Sequence, residues 1–307
     1  MRLVNTRGSE PTVTIGVVFQ DNPDEIRRLV ESLKKIDLSY CSNIVAVDNL
    51  STDHNVLIEF ESLHINKKLI RNDRRESLSY NRNQCIKNAT GSIVLFIDSD
   101  TEFNQVDFLN VLSKNFWDTK CDIGAPIVLS PDGTIQSVGF VKNHYSPYFI
   151  HPIKQIPKEP QSIDMIHGAC FAVRRTLFEE IGMLDEFMEP YNFDEMDFVI
   201  RALLHRKVLK NFGNLRIIHH SGGTTSKFAA EVRALLYVRH AIRSIKRNYC
   251  GVKRFLFVTE FIIAAQFGTF IRFRSLSSLK IVPKAIIWNI VISNVEYLYK
   301  GIRKQID

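Results

Sequence analysis

The sequence of 307 residues is long enough for one large domain, or for a domain with a smaller appended unit, and its 45% apolar and 24% charged residues are typical of a globular protein. Its five cysteines, an odd number without C-x-x-C spacing, indicate reduced thiols and argue against a disulfide framework or a zinc site. The net charge of +7 is uneven, because residues 225–307 hold 15 Lys and Arg against 4 Asp and Glu, whereas residues 1–224 hold 25 against 29.

Strand and helix patterns alternate through the first hundred residues. Residues 12–19 have a β-branched, almost uncharged strand pattern, and residues 22–36 follow as a helix with Asn22 as its cap and Pro23 in its first turn. Short connections between such elements predict right-handed βαβ units and a mostly parallel sheet. Further strands are predicted at residues 43–49, 67–72 and 93–98, and helices at residues 55–63 and 77–90.

Acidic residues stand at the ends of two of these strands. The apolar run Ile93–Ile97 leads into Asp98 and Asp100, and Asp48 lies near the end of another strand. Because ligands of parallel sheets bind beyond the carboxyl ends of the strands, we expect these acids on one rim. An Asp-Ser-Asp-Thr sequence is also ordinary turn and helix-cap chemistry, so both interpretations stay open on this pattern alone. The sequence has no dinucleotide or P-loop glycine motif, and paired aspartates with a divalent metal are another way to hold a diphosphate.

The second half is less regular. A hairpin is predicted over residues 126–140 around a Pro-Asp-Gly turn, and residues 141–162 are predicted to form a surface excursion or lid. The remaining elements are a strand and then a helix closed by Gly182 within residues 164–182, an amphipathic helix over 193–207, and a strand pattern that leads into two histidines within 208–223.

Two apolar segments with basic flanks, residues 254–274 and 281–304, end the sequence. Glu260 and Gln266 interrupt the first segment, which has about seventeen mostly apolar residues between its basic ends. Because of the polar interruptions and the short apolar length, we predict that neither segment spans a membrane. A basic helix whose apolar face carries Trp288 suits a membrane surface. A helical extension packed on the core, or a dimer interface, is the alternative.

Five blocks of the sequence have a recognisable pattern, namely VDNLSTD at 47–53, YNRNQCIKNATGSIVLFIDSD at 80–100, HGACFAVRRTLFEEIGMLDEFM at 167–188, NFDEMDFVIRALLHRK at 192–207 and IIHHSGGTTS at 217–226. Together they resemble the inverting glycosyltransferases of family 2, which include bacterial rhamnosyl- and galactosyltransferases. Each block alone is a weak signal, but five in this order and spacing are specific. The resemblance implies an α/β protein of the GT-A fold, with a mostly parallel nucleotide-binding sheet flanked by helices and a helical C-terminal extension.

The resemblance implies a divalent metal, Mg²⁺ or Mn²⁺, at the family's D-x-D motif. Asp98 is expected to contact the ribose of the nucleotide and the metal shell, and Asp100 to bind the metal directly. Carboxylate oxygens are the ligands that these cations prefer. His219 aligns with the histidine of the family's H-x-x-G-x-S block and is expected to complete the coordination, with His220 as the alternative if the strand end is shifted by one residue.

The resemblance also places residues around a nucleotide-sugar donor. Asp48 is expected to accept a hydrogen bond from N3–H of uracil or thymine, and Arg82 to reach the base or the diphosphate. Gly168–Ala169 is expected to let the backbone approach the donor sugar or the acceptor. Phe19 ends the first strand at the nucleotide, but Gln20 follows where the family commonly has a tyrosine, so a stacking side chain is missing there.

An inverting transfer needs one general base that deprotonates the acceptor hydroxyl. In the family this base is the second acid of an E-D-x-D motif at a helix start, and here the letters are Asp194-Glu195-Met196-Asp197. Glu195 therefore has the base position, with Asp194 as the neighbour that could replace it. Acids at a helix N-terminus also favour the helix dipole, and Asp197 is expected to have such a structural role, paired with Arg201.

These expectations combine into metal-dependent, inverting transfer of a sugar from a UDP- or dTDP-linked donor to a glycan or lipid-linked saccharide, in the assembly of cell-surface polysaccharide. Residues 1–245 are the predicted GT-A domain and residues 246–307 the basic, apolar extension. Because the N-terminus lacks a signal-peptide pattern, we expect a cytoplasmic protein, peripherally bound at the inner membrane surface. A homo-oligomer is a further expectation, and nucleic acid is not an expected partner because the basic tail is apolar and has no binding motif.

Two alternatives stay open. A nucleotidyltransferase or sugar-nucleotide pyrophosphorylase also uses acids at strand ends, but the first strand is followed by no Gly-rich phosphate loop. A non-catalytic nucleotide- or carbohydrate-binding module is disfavoured by the set of Asp100, Glu195 and His219, whereas Gln20 and the changed order of the helix acids keep it open.

Overall fold

The computed structural model describes residues 11–53, 56–142, 148–190, 193–221, 229–273 and 279–290. The first half alternates between strand and helix as predicted. The helix after the first strand begins at Pro23, but Asn22 does not cap it with its side chain and instead lies in the left-handed region with φ of 74°. The elements are β1 (Val13–Phe19), α1 (Pro23–Leu33), β2 (Cys41–Asp48), α2 (Val56–Glu61), β3 (Lys67–Arg71), α3 (Leu78–Lys87) and β4 (Ile93–Asp98).

The second half contains the predicted hairpin and several short strands that the sequence did not predict. The hairpin forms from two antiparallel strands around the turn, and Gly182, with φ of 82°, closes the predicted helix. Residues 143–147 of the predicted lid lie outside the described residues. The elements are β5 (Thr101–Phe103), α4 (Phe108–Thr119), β6 (Ile123–Leu129), β7 (Ile135–Ser137), β8 (Phe140–Lys142), β9 (Ile150–Pro152), β10 (Gln161–Ser162), β11 (Cys170–Arg174), α5 (Thr176–Ile181), α6 (Asp194–Leu204), β12 (Leu209–His219), α7 (Ala230–Asn248) and α8 (Gly251–Phe273).

One sheet organises the described part of the chain, in the order β10-β12-β6-β11-β4-β1-β2-β3. β3, β2, β1 and β4 are parallel, as the alternating pattern predicted, and β12 is parallel to β6. β11 is antiparallel to both of its neighbours, β4 and β6. The sheet is therefore mostly parallel, and the carboxyl ends of β1, β2 and β4 share one rim.

Helices cover both faces of this sheet. In β4, Val94 and Phe96 face the core shared with α3, α5 and α6, whereas Ile93, Leu95 and Ile97 face the core shared with α1, α2 and α4. A strand that is buried on both faces has no side open to water, which explains its uninterrupted apolar run. The predicted α/β architecture is thus confirmed.

The C-terminal helices pack on the same core. Phe261 of α8, with Val282 and Ala285 from the helical residues 281–290, belongs to the cluster formed by α6, α7 and the sheet. The predicted boundary after residue 245 falls within α7, and it stays a prediction. Residues 291–304 of the second apolar segment lie outside the described residues. Within the described ranges, no helix combines the length and hydropathy that crossing a bilayer requires.

Candidate functional site

A cleft of about 880 Å³ opens beyond the carboxyl ends of β1 and β4. Its walls come from the ends of these strands, from α3, from the segment before β11, and from the N-terminus of α6. Nine of the predicted site residues line it, namely Phe19, Arg82, Asp98, Asp100, Gly168, Ala169, Asp194, Glu195 and His219.

Asp48 is the predicted residue that the structure does not bring to the cleft surface. Its side chain is fully buried, because Oδ2 accepts a hydrogen bond from Arg71 at 2.5 Å and Oδ1 accepts one from the backbone N–H of Ser51 at 2.8 Å. Both carboxylate oxygens are thus engaged within the protein. A contact between Asp48 and a nucleotide base stays a prediction.

Three side chains converge at one point of the cleft. One ligand atom each from Asp98, Asp100 and His219 lies within 4.8 Å of the others. Strand pairing brings them together, since β5 directly follows Asp100 and pairs with β12, with Thr101 opposite His219. The Nε2 atom of His219 lies 3.3 Å from Oδ1 of Asp100.

Gln136 orients the imidazole of His219. Its Oε1 atom lies 2.8 Å from Nδ1 of His219, and its Nε2 donates to the backbone carbonyl of the same residue at 2.7 Å. A proton on Nδ1 satisfies this contact and leaves the lone pair of Nε2 directed at the aspartates. His220 faces elsewhere, because its Nε2 lies 3.0 Å from Glu102. Of the two predicted histidines, the structure therefore places His219 in the cluster.

This donor set fits a divalent cation such as Mg²⁺ or Mn²⁺. Two carboxylates and one imidazole are common ligands of such ions. Burial raises the pKa of Asp98, and the nearby charge of Asp100 raises it too, whereas Arg82 opposes them. A cation between the two carboxylates would offset this repulsion.

Arg82 lies beneath the cleft and joins its two acidic groups. Its guanidinium donates to Asp98 at 3.1 Å, to Asp194 at 2.9 Å and to the carbonyl of Gly168 at 3.0 Å. Burial alone would lower the pKa of this residue, but the surrounding carboxylates outweigh it and raise the pKa. Since only 3% of Arg82 is exposed, its predicted contact with the nucleotide stays a prediction.

The two acids at the start of α6 have different surroundings. Asp194 is fully buried and paired with Arg82, whereas the Glu195 side chain is 17% exposed. Burial raises the pKa of Glu195, and Asp194 raises it further, while Arg82 opposes them. Asp197 is paired with Arg201 at 3.0 Å and accepts from Ser244 of α7, as expected of a structural acid.

Gly168 leaves room for Glu195. A Cβ atom at this glycine would lie 3.0 Å from Oε1 of Glu195 and 3.2 Å from its Cδ, closer than side chains ordinarily approach. The next residue, Ala169, accepts a hydrogen bond from the backbone N–H of Asp98 at 2.9 Å. The Gly168–Ala169 segment therefore contacts both Asp98 and Glu195.

The exit of β1 forms a polar wall of the cleft. Phe19 turns inward and stacks on Phe60 with ring centroids 5.7 Å apart. Gln20, with its amide oxygen towards Arg75, accepts from that guanidinium at 3.1 and 3.2 Å. Asn49 lies beside them and also lines the cleft. Polar groups thus stand where the family commonly has an aromatic side chain.

Sequence reasoning missed His167 and Gln136. His167 lines the cleft, with its ring centroid 5.6 Å from that of His219. Its position directly before Gly168 was the available signal. Gln136 lies in the β6–β7 hairpin, and no local pattern connects it with a histidine 83 residues away.

The sequence of this chain is similar to a known family and to several known proteins. Residues 14–182 match the family model described as glycosyl transferase family 2. O-antigen biosynthesis protein RfbC of Myxococcus xanthus is 27% identical over 228 residues, which are 70% of this chain and 18% of RfbC. Inactive polypeptide N-acetylgalactosaminyltransferase-like protein 5 of Macaca fascicularis is 24% identical over 246 residues, which are 74% of this chain and 55% of that protein. The chain thus spans less than two thirds of the length of these relatives.

Solved structures share the fold. TarS residues 1–349 of S. aureus, in complex with UDP-GlcNAc, align with a TM-score of 0.63 at 18% identity over 89% of this chain and 79% of that one. The mannosyltransferase PcManGT of Pyrobaculum calidifontis, in complex with GDP-Man and Mn²⁺, aligns with a TM-score of 0.57 at 14% identity over 98% and 82% of the two chains. The family match covers more than half of the chain, and the architecture agrees with it. The chain therefore belongs to glycosyl transferase family 2 and has the GT-A fold.

Proposed function

We propose that this glycosyltransferase moves a sugar, with inversion at the anomeric carbon, from a UDP- or dTDP-linked donor to a glycan or lipid-linked saccharide. We propose Mg²⁺ or Mn²⁺ as its cofactor and the assembly of cell-surface polysaccharide as its setting. The name of the relative RfbC supports that setting. The donors named for structures of the same fold carry different nucleotides, UDP in UDP-GlcNAc and GDP in GDP-Man, so an experiment must identify the nucleotide of this donor.

One observation carries this proposal. Asp98, Asp100 and His219, a set that fits a metal ion, line the same cleft as the Glu195 carboxylate, and the Gly168–Ala169 segment contacts both Asp98 and Glu195. Inverting transfer needs a leaving-group site and a base in one cleft, because the acceptor must lose its proton as it approaches the anomeric carbon from the face opposite the leaving group. The cluster would hold the leaving diphosphate, and Glu195 would stand on the acceptor side.

Each residue then has a defined task. Asp98, Asp100 and His219 would hold the cation, which when bound supplies Lewis-acid stabilisation of the charge that develops on the leaving diphosphate. Glu195 would take the proton of the acceptor hydroxyl. Arg82 would hold Asp98 and Asp194 in place from below, since it contacts both.

A panel of nucleotide sugars tests the proposal. Purified protein with Mn²⁺ should release nucleoside diphosphate from one UDP- or dTDP-linked sugar, and excess chelator should abolish the release. Asp100→Asn should abolish it as well, because the variant keeps the shape of the side chain and loses its charge. Full activity in excess chelator would contradict the metal assignment, and release from no sugar in the panel would contradict the proposed donor class.

We further propose that α8 binds the acidic surface of the inner membrane, where a lipid-linked acceptor would be found. One face of this helix packs on the core through Phe261 and is therefore not available. The opposite face is largely apolar, with side chains between 53% and 74% exposed, at Val252, Phe255, Leu256, Ile263, Phe267 and Ile271, and it also carries the exposed Glu260.

Charge supports a membrane as the partner of this face. Residues 251–290 contain six Lys and Arg and one acidic residue, Glu260. Lys253 and Arg254 are exposed in the first turn of α8, and Lys280 and Lys284 are exposed on the following helical residues. An exposed apolar face with basic neighbours is the composition of helices that lie on anionic bilayers. The ring of Trp288 lies 4.1 Å from the guanidinium of Arg239, and its contact with a membrane stays a prediction.

A further inference from the structure

The residue before the Gly168–Ala169 segment is a histidine, and it lies on the metal side of the cleft. The imidazole of His167 packs edge-on against that of His219, with ring centroids 5.6 Å apart. Gly168 follows at once and lies against Glu195. His167 is thus beside the position where the diphosphate of a donor would meet the cluster.

A backbone hydrogen bond determines which ring nitrogen of His167 carries the proton. The N–H of Ala169 donates to Nδ1 of His167 at 3.2 Å, so Nδ1 is an acceptor and carries no proton. A neutral imidazole with an unprotonated Nδ1 carries its proton on Nε2.

Because of this tautomer, the two histidines have different functions. His219 has its Nδ1 held by Gln136 and offers the lone pair of Nε2 to a cation. His167 has the opposite arrangement, since its Nδ1 is occupied by Ala169 and its Nε2 bears a proton. A metal ligand needs a free lone pair, so His167 in this arrangement is a hydrogen-bond donor beside the metal-binding cluster.

We propose that the Nε2–H group of His167 donates a hydrogen bond to the distal phosphate of the nucleotide-sugar donor and stabilises it as the leaving group. This inference rests on the proposed function. In the transfer, the acceptor oxygen bonds to the anomeric carbon and gives its proton to Glu195, and the bond from that carbon to the phosphate oxygen breaks. The electron pair of that bond stays on the phosphate, whose negative charge increases. His167 keeps its proton throughout, and its hydrogen bond strengthens as the charge develops.

Two variants separate this role from packing. His167→Phe keeps a planar ring and removes the donor, whereas His167→Gln keeps an N–H near the position of Nε2. The probes are Mn²⁺ alone and then UDP with Mn²⁺, measured by calorimetry on the full chain. We expect both variants to bind Mn²⁺ with a Kd within about twofold of the wild type, because His167 is not a ligand.

The effect of removing the hydrogen-bond donor should appear in the affinity for UDP and in turnover. His167→Phe should bind UDP about tenfold more weakly, the usual worth of one hydrogen bond to a charged group, and should lower kcat by roughly 10- to 100-fold. His167→Gln should recover most of both. Equal UDP affinity in the wild type and His167→Phe would overturn the inference, as would identical behaviour of the two variants. A loss of Mn²⁺ affinity would overturn it too and make His167 a ligand.

The same measurement distinguishes the inference from the proposed function. A wild-type protein that binds neither UDP nor dTDP with Mn²⁺ would contradict the proposed donor class. A wild-type protein that binds UDP, with variants that bind it equally well, would contradict the inference alone.

Discussion

The distance between Gly168 and Glu195 has a direct consequence for a single substitution. A Cβ atom at Gly168 would meet the carboxylate of Glu195 at 3.0 Å, and a flexible side chain can move away at small cost. Gly168→Ala should therefore leave the melting temperature almost unchanged and displace the proposed base. Displacement of a reacting group by about 1 Å can lower turnover roughly 100-fold, so we expect kcat to fall by about 10- to 100-fold with donor affinity retained.

Gly268→Ala is the matched control for this change. Gly268 lies in α8, and an added Cβ there meets nothing within 4 Å. We expect its kcat to equal that of the wild type. A Gly168→Ala enzyme with unchanged kcat would show that Glu195 does not need its present position, which would contradict its assignment.

The sequence could predict which residue types meet at the cleft, because short motifs carry that information. It could not predict which residues are the hydrogen-bond partners of Asp48 and Arg82. Asp48 is hydrogen-bonded to Arg71. Arg82 is hydrogen-bonded to Asp98 and to Asp194, and Asp194 lies 112 positions after Arg82 in the sequence. Such pairings depend on tertiary packing, and no local pattern in the sequence carries them.

At the scale of elements, the short pairing of β5 with β12 assembles the cluster of Asp98, Asp100 and His219, which is the proposed metal site. It sets Thr101 opposite His219 and so brings the histidine to Asp100. The long strands were predictable from apolar runs, and α3 and α6 from their patterns. β5 and β10, of three and two residues, were not, because so few residues establish no periodicity. The antiparallel β11 also could not be assigned a direction from its sequence alone.

The β6–β7 hairpin should act on the metal through Gln136. Gln136→Ala removes the contact that fixes the tautomer of His219, and loss of such an outer contact typically costs 10- to 100-fold in metal affinity. We expect the Kd for Mn²⁺ to rise by about that factor, measured by calorimetry without nucleotide, with little change in melting temperature.

Gln105→Ala is the control, because it makes the same substitution at a distant surface position. The side-chain amide of Gln105 donates a hydrogen bond to Asp107. The control variant should bind Mn²⁺ as the wild type does. Equal Mn²⁺ affinity in Gln136→Ala would contradict the role of His219 as a ligand oriented by the hairpin.

At the scale of the whole molecule, the C-terminal helices both complete the core and expose an apolar face. Removal of the tail would uncover Val238 and Ile242 of α7, which share a cluster with Phe261 and Ala285. Point substitutions on the exposed face therefore test membrane binding better than truncation does. The double variant Ile263→Glu, Phe267→Glu should keep its fold, because both side chains are more than half exposed.

This variant should sediment with anionic vesicles at least tenfold more weakly than the wild type, since burial of each apolar side chain is worth about 1.5–3 kcal/mol. Val106→Glu, at a 66% exposed position before α4, should sediment as the wild type does. Unchanged sedimentation of the double variant would contradict the membrane proposal. A wild-type dimer that the double variant converts to a monomer, without vesicle binding, would assign the face to self-association.

Glu195 is proposed to deprotonate the acceptor while Asp98, Asp100 and His219 hold the cation that binds the donor diphosphate. Glu195→Gln keeps the shape of the side chain and removes its basicity. Donor affinity with Mn²⁺ should stay within about threefold of the wild type, and turnover should fall by roughly 10²- to 10⁴-fold, the usual worth of a positioned general base. Asp194→Asn should reduce turnover less and stability more, because Asp194 is the buried partner of Arg82. Turnover of Glu195→Gln close to that of the wild type would contradict the account, and a collapse confined to Asp194→Asn would move the base by one residue.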